Sequence, residues 1–313
     1  MKPLVILTGP TAVGKTAMSV ELAKRINGEI ISADSIQVYK YLDIGSAKVT
    51  QEEMDGVKHY LIDELEPDEN FDITVFKDKA VKYIEEIYSK GKVPIIAGGT
   101  GFYIQSVLFD IQFEDADADA EYRKELEETV KTKGPEYIHN ILRNIDPKSA
   151  EIIHYNNVKR VIRALEYYKK TGKPISEHNE VQRQNESPYN FVYFVLNDDR
   201  ELLYERINKR VDIMVEDGLF EEVEGLIKKG YSRELNSMQG IGYREVFDFF
   251  DGNLTKEETI EKIKLNTRHF AKRQLTWFKR EKSVTMVDLN DFDHDKEKVL
   301  SYMTDLLKNK NII

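Results

Sequence analysis

The chain has 313 residues, enough to bury a full core in one large domain or two smaller ones. Its formal net charge of -10 argues against a generally basic nucleic-acid coat but leaves room for a local basic surface, because binding follows where charge sits rather than its sum. With no cysteine, the chain has no disulfides, no Cys-ligated zinc and no thiolate catalysis.

Leu4 to Leu7 form an apolar run that reads as a buried strand. It is far too short for a signal peptide or a membrane span, so a cytoplasmic protein without membrane attachment is expected. The run leads into Gly9-Pro10-Thr11-Ala12-Val13-Gly14-Lys15-Thr16, and Ala17 to Ala23 continue with helical spacing. Strand, Gly-rich turn and helix start in that order are a phosphate-binding P-loop. The glycines let backbone N–H groups close around phosphate oxygens, the helix start adds partial positive charge, Lys15 neutralises, and the Thr16 hydroxyl is placed to ligate Mg²⁺.

Further buried strands are expected at Glu29 to Ser32, Tyr60 to Ile62, Val93 to Ala97 and Phe191 to Leu196, with a last one within Ser283 to Leu289. Helical patterns such as Val75 to Tyr88 lie between the first of them, which is the alternation of a parallel α/β sheet. From about Asp110 strand signals stop until Phe191, and Tyr122 to Val130 and Val158 to Tyr168 have helical periodicity with charged faces. The expected architecture is therefore an α/β, P-loop-type parallel sheet core flanked by helices, built from residues 1–111 and 190–313, with an inserted all-helical domain at 112–189. The acidic run Asp110 to Glu121 is expected to hold the first crossing. After Asn197 helices are expected at Arg200 to Glu216, Phe220 to Lys228, Tyr243 to Phe250 and Lys256 to Lys282.

Asp34 follows the second strand, where the C-terminal ends of a parallel sheet converge on the phosphate site. A carboxylate there can serve as a base or a metal partner, or it can simply cap the next turn. Gly98-Gly99-Thr100-Gly101 follows the strand at Val93 to Ala97; its glycines allow close backbone approach and leave one hydroxyl exposed. None of the histidines has metal-ligand spacing, so no structural metal is expected. Charge is uneven: Lys262 to Lys282 carries eight basic residues against Glu281 alone. On a helical wheel Ile263, Phe270, Ala271, Trp277 and Phe278 share one arc, with Lys262, Arg268, Lys272, Arg273, Lys279 and Arg280 opposite. Lys159, Arg160, Arg163, Lys169, Lys170 and Lys173 form a second cluster offset only by Glu166. One such face is ordinarily just solvated; two on an acidic phosphate-binding chain suggest a polyanion.

Taken in order, GPTAVGKT (Gly9 to Thr16), ADSIQVYKYLDIGSAK (Ala33 to Lys48), HYLID (His59 to Asp63), GGTGFY (Gly98 to Tyr103), NVKRVIRALE (Asn157 to Glu166), IGYRE (Ile241 to Glu245) and TRHFAKRQLTWF (Thr267 to Phe278) resemble the bacterial tRNA dimethylallyltransferase family along nearly the whole chain. Tyr60 and Ser46 depart from its usual histidine and threonine, and neither touches the expected chemistry. The resemblance implies transfer of a dimethylallyl group from its diphosphate to N6 of the adenine 3′-adjacent to the anticodon, with Mg²⁺ as cofactor. It implies that Asp34 is the base, that Thr100 contacts the reacting nucleotide, and that Gly9 to Thr16 hold the diphosphate. Arg210 would assist that group, with Arg206 in the same helix as the competing choice. It further implies tRNA contacts at Ser35, Ile36, Gln37, Arg123, Lys159, Arg160, Val161, Ile162 and Arg163, beside Asp34 and Thr100 at the reacting nucleotide. Arg244 and, from the basic helix face, Arg268, Lys272 and Arg273 are also expected to bind tRNA, and a monomer is expected.

Three rivals remain open on sequence. A small-molecule P-loop kinase would use Asp34 to activate a hydroxyl, and would consume ATP. A prenyltransferase acting on free adenine nucleotides would not need the helical insertion. A nucleotide-regulated RNA-binding protein would not need a base at Asp34.

Overall fold

In the computed structural model, residues 1–113, 120–182 and 184–313 are described. They divide into two compact units, 1–108 with 188–313, and 109–187. The first unit carries one sheet. In chain order it runs β1 (Lys2–Thr8), α1 (Lys15–Ile26), β2 (Gly28–Ala33), α2 (Gln51–Met54), β3 (His59–Tyr60), α3 (Ile73–Ser89), β4 (Val93–Gly98) and α4 (Gly101–Leu108). The second unit contains α5 (Ala120–Lys133), α6 (Pro135–Ile145), α7 (Pro147–Ile152), α8 (Val158–Thr171) and α9 (Ile175–Gln182). The first then resumes with β5 (Tyr189–Asn197), α10 (Arg200–Glu216), α11 (Leu219–Lys228), α12 (Tyr243–Phe250), α13 (Lys256–Phe278), β6 (Val284–Asp288) and α14 (Lys296–Asn309).

The six strands are all parallel in the order β3-β2-β4-β1-β5-β6, the expected fold class. Helices cover a parallel sheet on both faces, so its strands read as continuous apolar runs rather than alternating ones; Leu4, Val5, Ile6 and Leu7 of β1 are all fully buried. One core joins Val5, Leu7, Leu22, Phe194 and Ile207 to Val299, Met303 and Leu307 of α14. The helical unit has its own core around Leu126, Ile138, Leu142, Val161 and Leu165.

Some elements differ from the sequence expectation. β3 stops at Tyr60 because Leu61 takes a left-handed φ of 61° and its N–H turns to the Glu64 carboxylate. Helix α13 ends at Phe278, so Lys279 to Lys282 lie beyond it. Helices α4 and α14 were not anticipated. Half of the acidic run at Asp110 to Glu121, residues 114–119, lies outside the described residues.

The register places the functional loops. Thr8 of β1 and Ala33 of β2 both stand beside Gly98 of β4, so Gly9, Asp34 and Gly99 leave neighbouring strands at the same edge. Ligands of open α/β sheets bind at that edge.

Candidate active site

The P-loop is shaped by its backbone. Gly9, with φ 151°, runs so close to β5 that a Cβ would sit 2.6 Å from the Leu196 carbonyl oxygen. Helix α1 starts at Lys15 with no side-chain cap, so no side chain takes up its first N–H groups, as an anion site requires. The Lys15 ammonium donates to the Pro10 carbonyl at 2.8 Å, folding back over the loop. Burial pushes its pKa from 10.5 down to about 7; the Arg210 guanidinium pushes the same way, and Asp34 opposes both. Burial also lowers the Arg210 pKa, against the pull of Glu53 and Asp34. Two cations are thus held where neither is comfortable without an anion.

A cavity of about 550 Å³ opens beside the loop, within the sheet unit. Thr11, Ala12, Asp34, Thr100 and Arg210 line it together with Arg273, bringing three of the four expected catalytic groups to one space; Lys15 is not among the lining residues. Arg206, the competing choice, instead pairs with the buried Asp198 carboxylate at 2.5 Å. Asp34 uses one oxygen, Oδ1, to accept from the N–H groups of Ile36 (2.8 Å) and Gln37 (3.3 Å). The turn-capping alternative therefore holds for that oxygen, and it fixes the direction of the other. Thr100 is held by its own N–H, which donates to the Ala33 carbonyl at 3.1 Å.

The remaining walls are braced by Gln274, Glu222 and Glu245, side chains to which the sequence reading gave no role. Gln274 of α13 accepts from the Thr11 N–H at 2.8 Å and donates to the Gly99 carbonyl at 3.0 Å, tying the P-loop to the Thr100 loop. Gly99 has no room for a Cβ because the Gln274 amide occupies that space. Glu222 of α11 accepts from the N–H groups of Asp43 (3.0 Å), Ile44 (2.7 Å) and Gly45 (3.1 Å) and from the Tyr243 hydroxyl (2.7 Å). It thereby holds the Gly45 to Ala47 wall, whose Ser46 and Ala47 carbonyls accept from the Gln37 amide. Glu245, fully buried, accepts from the Gly242 N–H, Arg244 and Asn266, which places Arg244 and Asn266 on the cavity. A lone Glu or Gln in a helix gives no pattern from which such distant partners can be read.

Several expected tRNA contacts change meaning. Val161 and Ile162 are buried in the core of the helical unit, so their side chains offer no RNA surface; that expectation is corrected. Arg123 makes a bidentate pair, both bonds 2.8 Å, with Glu166, whose carboxylate is almost wholly buried, and so acts as its structural partner. Arg268 is not on a free outer face: half-buried, it donates to Asn208 of α10 at 2.6 Å. Lys262 is likewise paired with Asp248. Lys159, Arg160 and Lys272 are exposed, and Arg163 is half-buried. Ser35 and Ile36 line the cavity, and the Arg273 guanidinium lies 5.7 Å from the Phe270 ring there.

Among the described residues no group of three or more His, Asp or Glu side chains could hold a metal alone. Mg²⁺ fits all the same: Thr16, exposed at the start of α1, is a hard hydroxyl donor suited to a cation that takes its other ligands from phosphate and water.

The IPP transferase family profile matches residues 37–281. The chain is 60% identical over 313 residues, all of both chains, to a tRNA dimethylallyltransferase of Lachnoclostridium phytofermentans. It is 53% identical to one of Acetivibrio thermocellus, covering 95% of each. The crystal structure of a tRNA isopentenylpyrophosphate transferase from Bacillus halodurans matches with a TM-score of 0.75 at 47% identity, covering 99% of this chain and 98% of that one. A eukaryotic dimethylallyltransferase solved acting on tRNA matches with a TM-score of 0.83 at 29% identity, covering 99% of this chain and 80% of that one. With the P-loop, Asp34, Thr100 and Arg210 on one cavity and these matches spanning the whole chain, the protein belongs to the IPP transferase family, the tRNA dimethylallyltransferases.

Proposed function

We propose that the cavity joins a dimethylallyl group, taken from dimethylallyl diphosphate, to N6 of the adenine 3′-adjacent to the anticodon of tRNA. The reading rests on one observation: Thr11 and Ala12 of the P-loop, the Arg210 cation, a carboxylate with one uncommitted oxygen and Thr100 all line the same space. The P-loop N–H groups, Lys15 and Arg210 bind the diphosphate and stabilise the charge that grows on it as the allylic C–O bond breaks. N6 forms the new bond to that carbon, Asp34 accepts the N6 proton, and diphosphate leaves. The exocyclic amine is a weak nucleophile because its lone pair is delocalised into the ring, so a fixed base at this point matters. Thr100 orients the base. Mg²⁺, held by Thr16 and the diphosphate oxygens, would supply further charge neutralisation.

The adenine must leave the anticodon-loop stack to reach this space, and the Phe270 ring with Arg273 beside it offers a stacking surface inside the cavity. Lys159, Arg160, Arg163 and Lys272 are proposed to grip tRNA phosphates. We further propose that the enzyme works as a monomer in the cytoplasm, where its tRNA substrate is found; no helix among the described residues is long and apolar enough to cross a membrane. Incubation with labelled dimethylallyl diphosphate, Mg²⁺ and either unmodified tRNA or AMP tests the assignment. Label in tRNA alone supports it; label in AMP favours the free-nucleotide reading, and phosphate transfer from ATP favours the kinase.

A further inference from the structure

The polar groups of the cavity account for diphosphate, proton and base, but they leave one wall without a task. Helix α10 turns Ile207, Arg210, Val211 and Met214 to the cavity, the spacing of one helical face. Ile207 and Val211 are buried, as is Ile263, which faces the same space from α13. Arg210 therefore stands at the edge of an apolar strip. Ile207 belongs to the core that also contains Val13 of the P-loop, and it is the first residue of this face in α10. Met214 lies two turns further, on the order of 10 Å along the helix axis, and is half-buried.

We infer that Ile207, Val211 and Ile263 form the wall that receives the five-carbon chain and that Met214 is the stop that limits its length. The inference rests on the proposed reaction and adds its specificity. A diphosphate held between the P-loop and Arg210 directs its apolar chain along the strip. The buried members of the strip are locked into the core, and Met214 alone is an unbranched, partly exposed side chain at its far end. An allylic diphosphate one isoprene unit longer meets Met214. The wall excludes it by shape rather than by charge.

The test is a competition between dimethylallyl and geranyl diphosphates for tRNA, read as the ratio of their kcat/KM values. One methylene in an apolar pocket is worth about 10- to 200-fold in discrimination, so Met214→Ala is expected to shift the ratio toward geranyl by about 10-fold or more. Inhibition by inorganic diphosphate should stay as in wild type, since the phosphate cradle is untouched. Ile213→Ala, on the outer side of the same helix at 43% exposure, should keep the wild-type ratio. Should Met214→Ala not fold, Met214→Val should shift the ratio the same way by less. An unchanged ratio in a folded Met214 variant, or an equal shift in Ile213→Ala, overturns the inference. Wild-type enzyme that labels no tRNA with the five-carbon donor would instead overturn the proposed reaction.

Discussion

Lys15 is a charge the cleft discourages and the substrate should restore. Burial first and Arg210 second bring its pKa from 10.5 to about 7, which at 1.36 kcal/mol per tenfold is a penalty of about 4–5 kcal/mol on the ammonium. The unfolded chain holds this proton up to its ordinary pKa, so between about pH 7 and 10.5 the native state binds fewer protons and this group's contribution to stability rises with pH. Diphosphate reverses the balance: with its negative charge beside Lys15 the ammonium is favoured again, and binding must take up a proton wherever the free enzyme has lost it. At pH 8 the uptake approaches one proton, and at pH 6 it approaches zero. Affinity follows the charged fraction, so this group alone weakens binding about 50-fold between pH 7 and 9. Calorimetry of dimethylallyl diphosphate binding in buffers of different ionisation enthalpy measures the uptake directly. Lys15→Arg keeps the charge and cannot titrate, so the difference between wild type and Lys15→Arg removes the ligand's own protonation. Equal uptake by the two proteins at pH 8 would refute the argument.

The sheet and the phosphate site were legible because each is written locally. The run Leu4 to Leu7 before Gly9 to Thr16 fixes strand, turn and helix within twenty residues, and parallel pairing then brings Asp34 and Thr100 to the same edge. What holds the cavity open was not legible, because its contacts join residues far apart in the chain. Gln274 reaches back 263 residues to Thr11, and Glu222 reaches 177 to Gly45; neither stands in a pattern that names its partner. The basic faces were legible only in part, for a related reason. A helical wheel separates wet from dry but does not see a neighbouring helix, so Arg268 read as solvated until Asn208 of α10 met it. Likewise Val161 and Ile162 shared a motif with Arg160 and Arg163 although their side chains point into a core.

Asp34→Asn should lower the single-turnover rate by about 10²- to 10⁴-fold in folded protein, since the amide still accepts the Ile36 and Gln37 N–H groups but takes no proton; a near wild-type rate would leave Asp34 only its turn. Thr100→Ala should cost less, about 1 kcal/mol, in the same assay. Arg160→Ala and Lys272→Ala should each flatten the salt dependence of tRNA affinity by roughly one slope unit while sparing dimethylallyl diphosphate; unchanged slopes would remove these residues from the RNA surface. Arg123→Ala should lower the melting temperature, because it strands the buried Glu166 carboxylate, and a mutant as stable as wild type would contradict that pairing. The clamp at Gln274 makes the sharpest separation between binding and chemistry. Gln274→Leu fills similar space but leaves the Thr11 N–H and the Gly99 carbonyl without their partner, at about 1–3 kcal/mol for each group that stays buried. It also frees the phosphate loop from the loop that carries Thr100. The diphosphate keeps Lys15 and Arg210, so its affinity should fall little. The reacting carbon and N6, however, are no longer held in register, and misplacement by about 1 Å can cost 10²-fold. Single-turnover kinetics should therefore show a lower rate at saturating substrates with nearly unchanged diphosphate affinity. A Gln274→Leu enzyme with wild-type rate would show that the two loops hold their spacing without it.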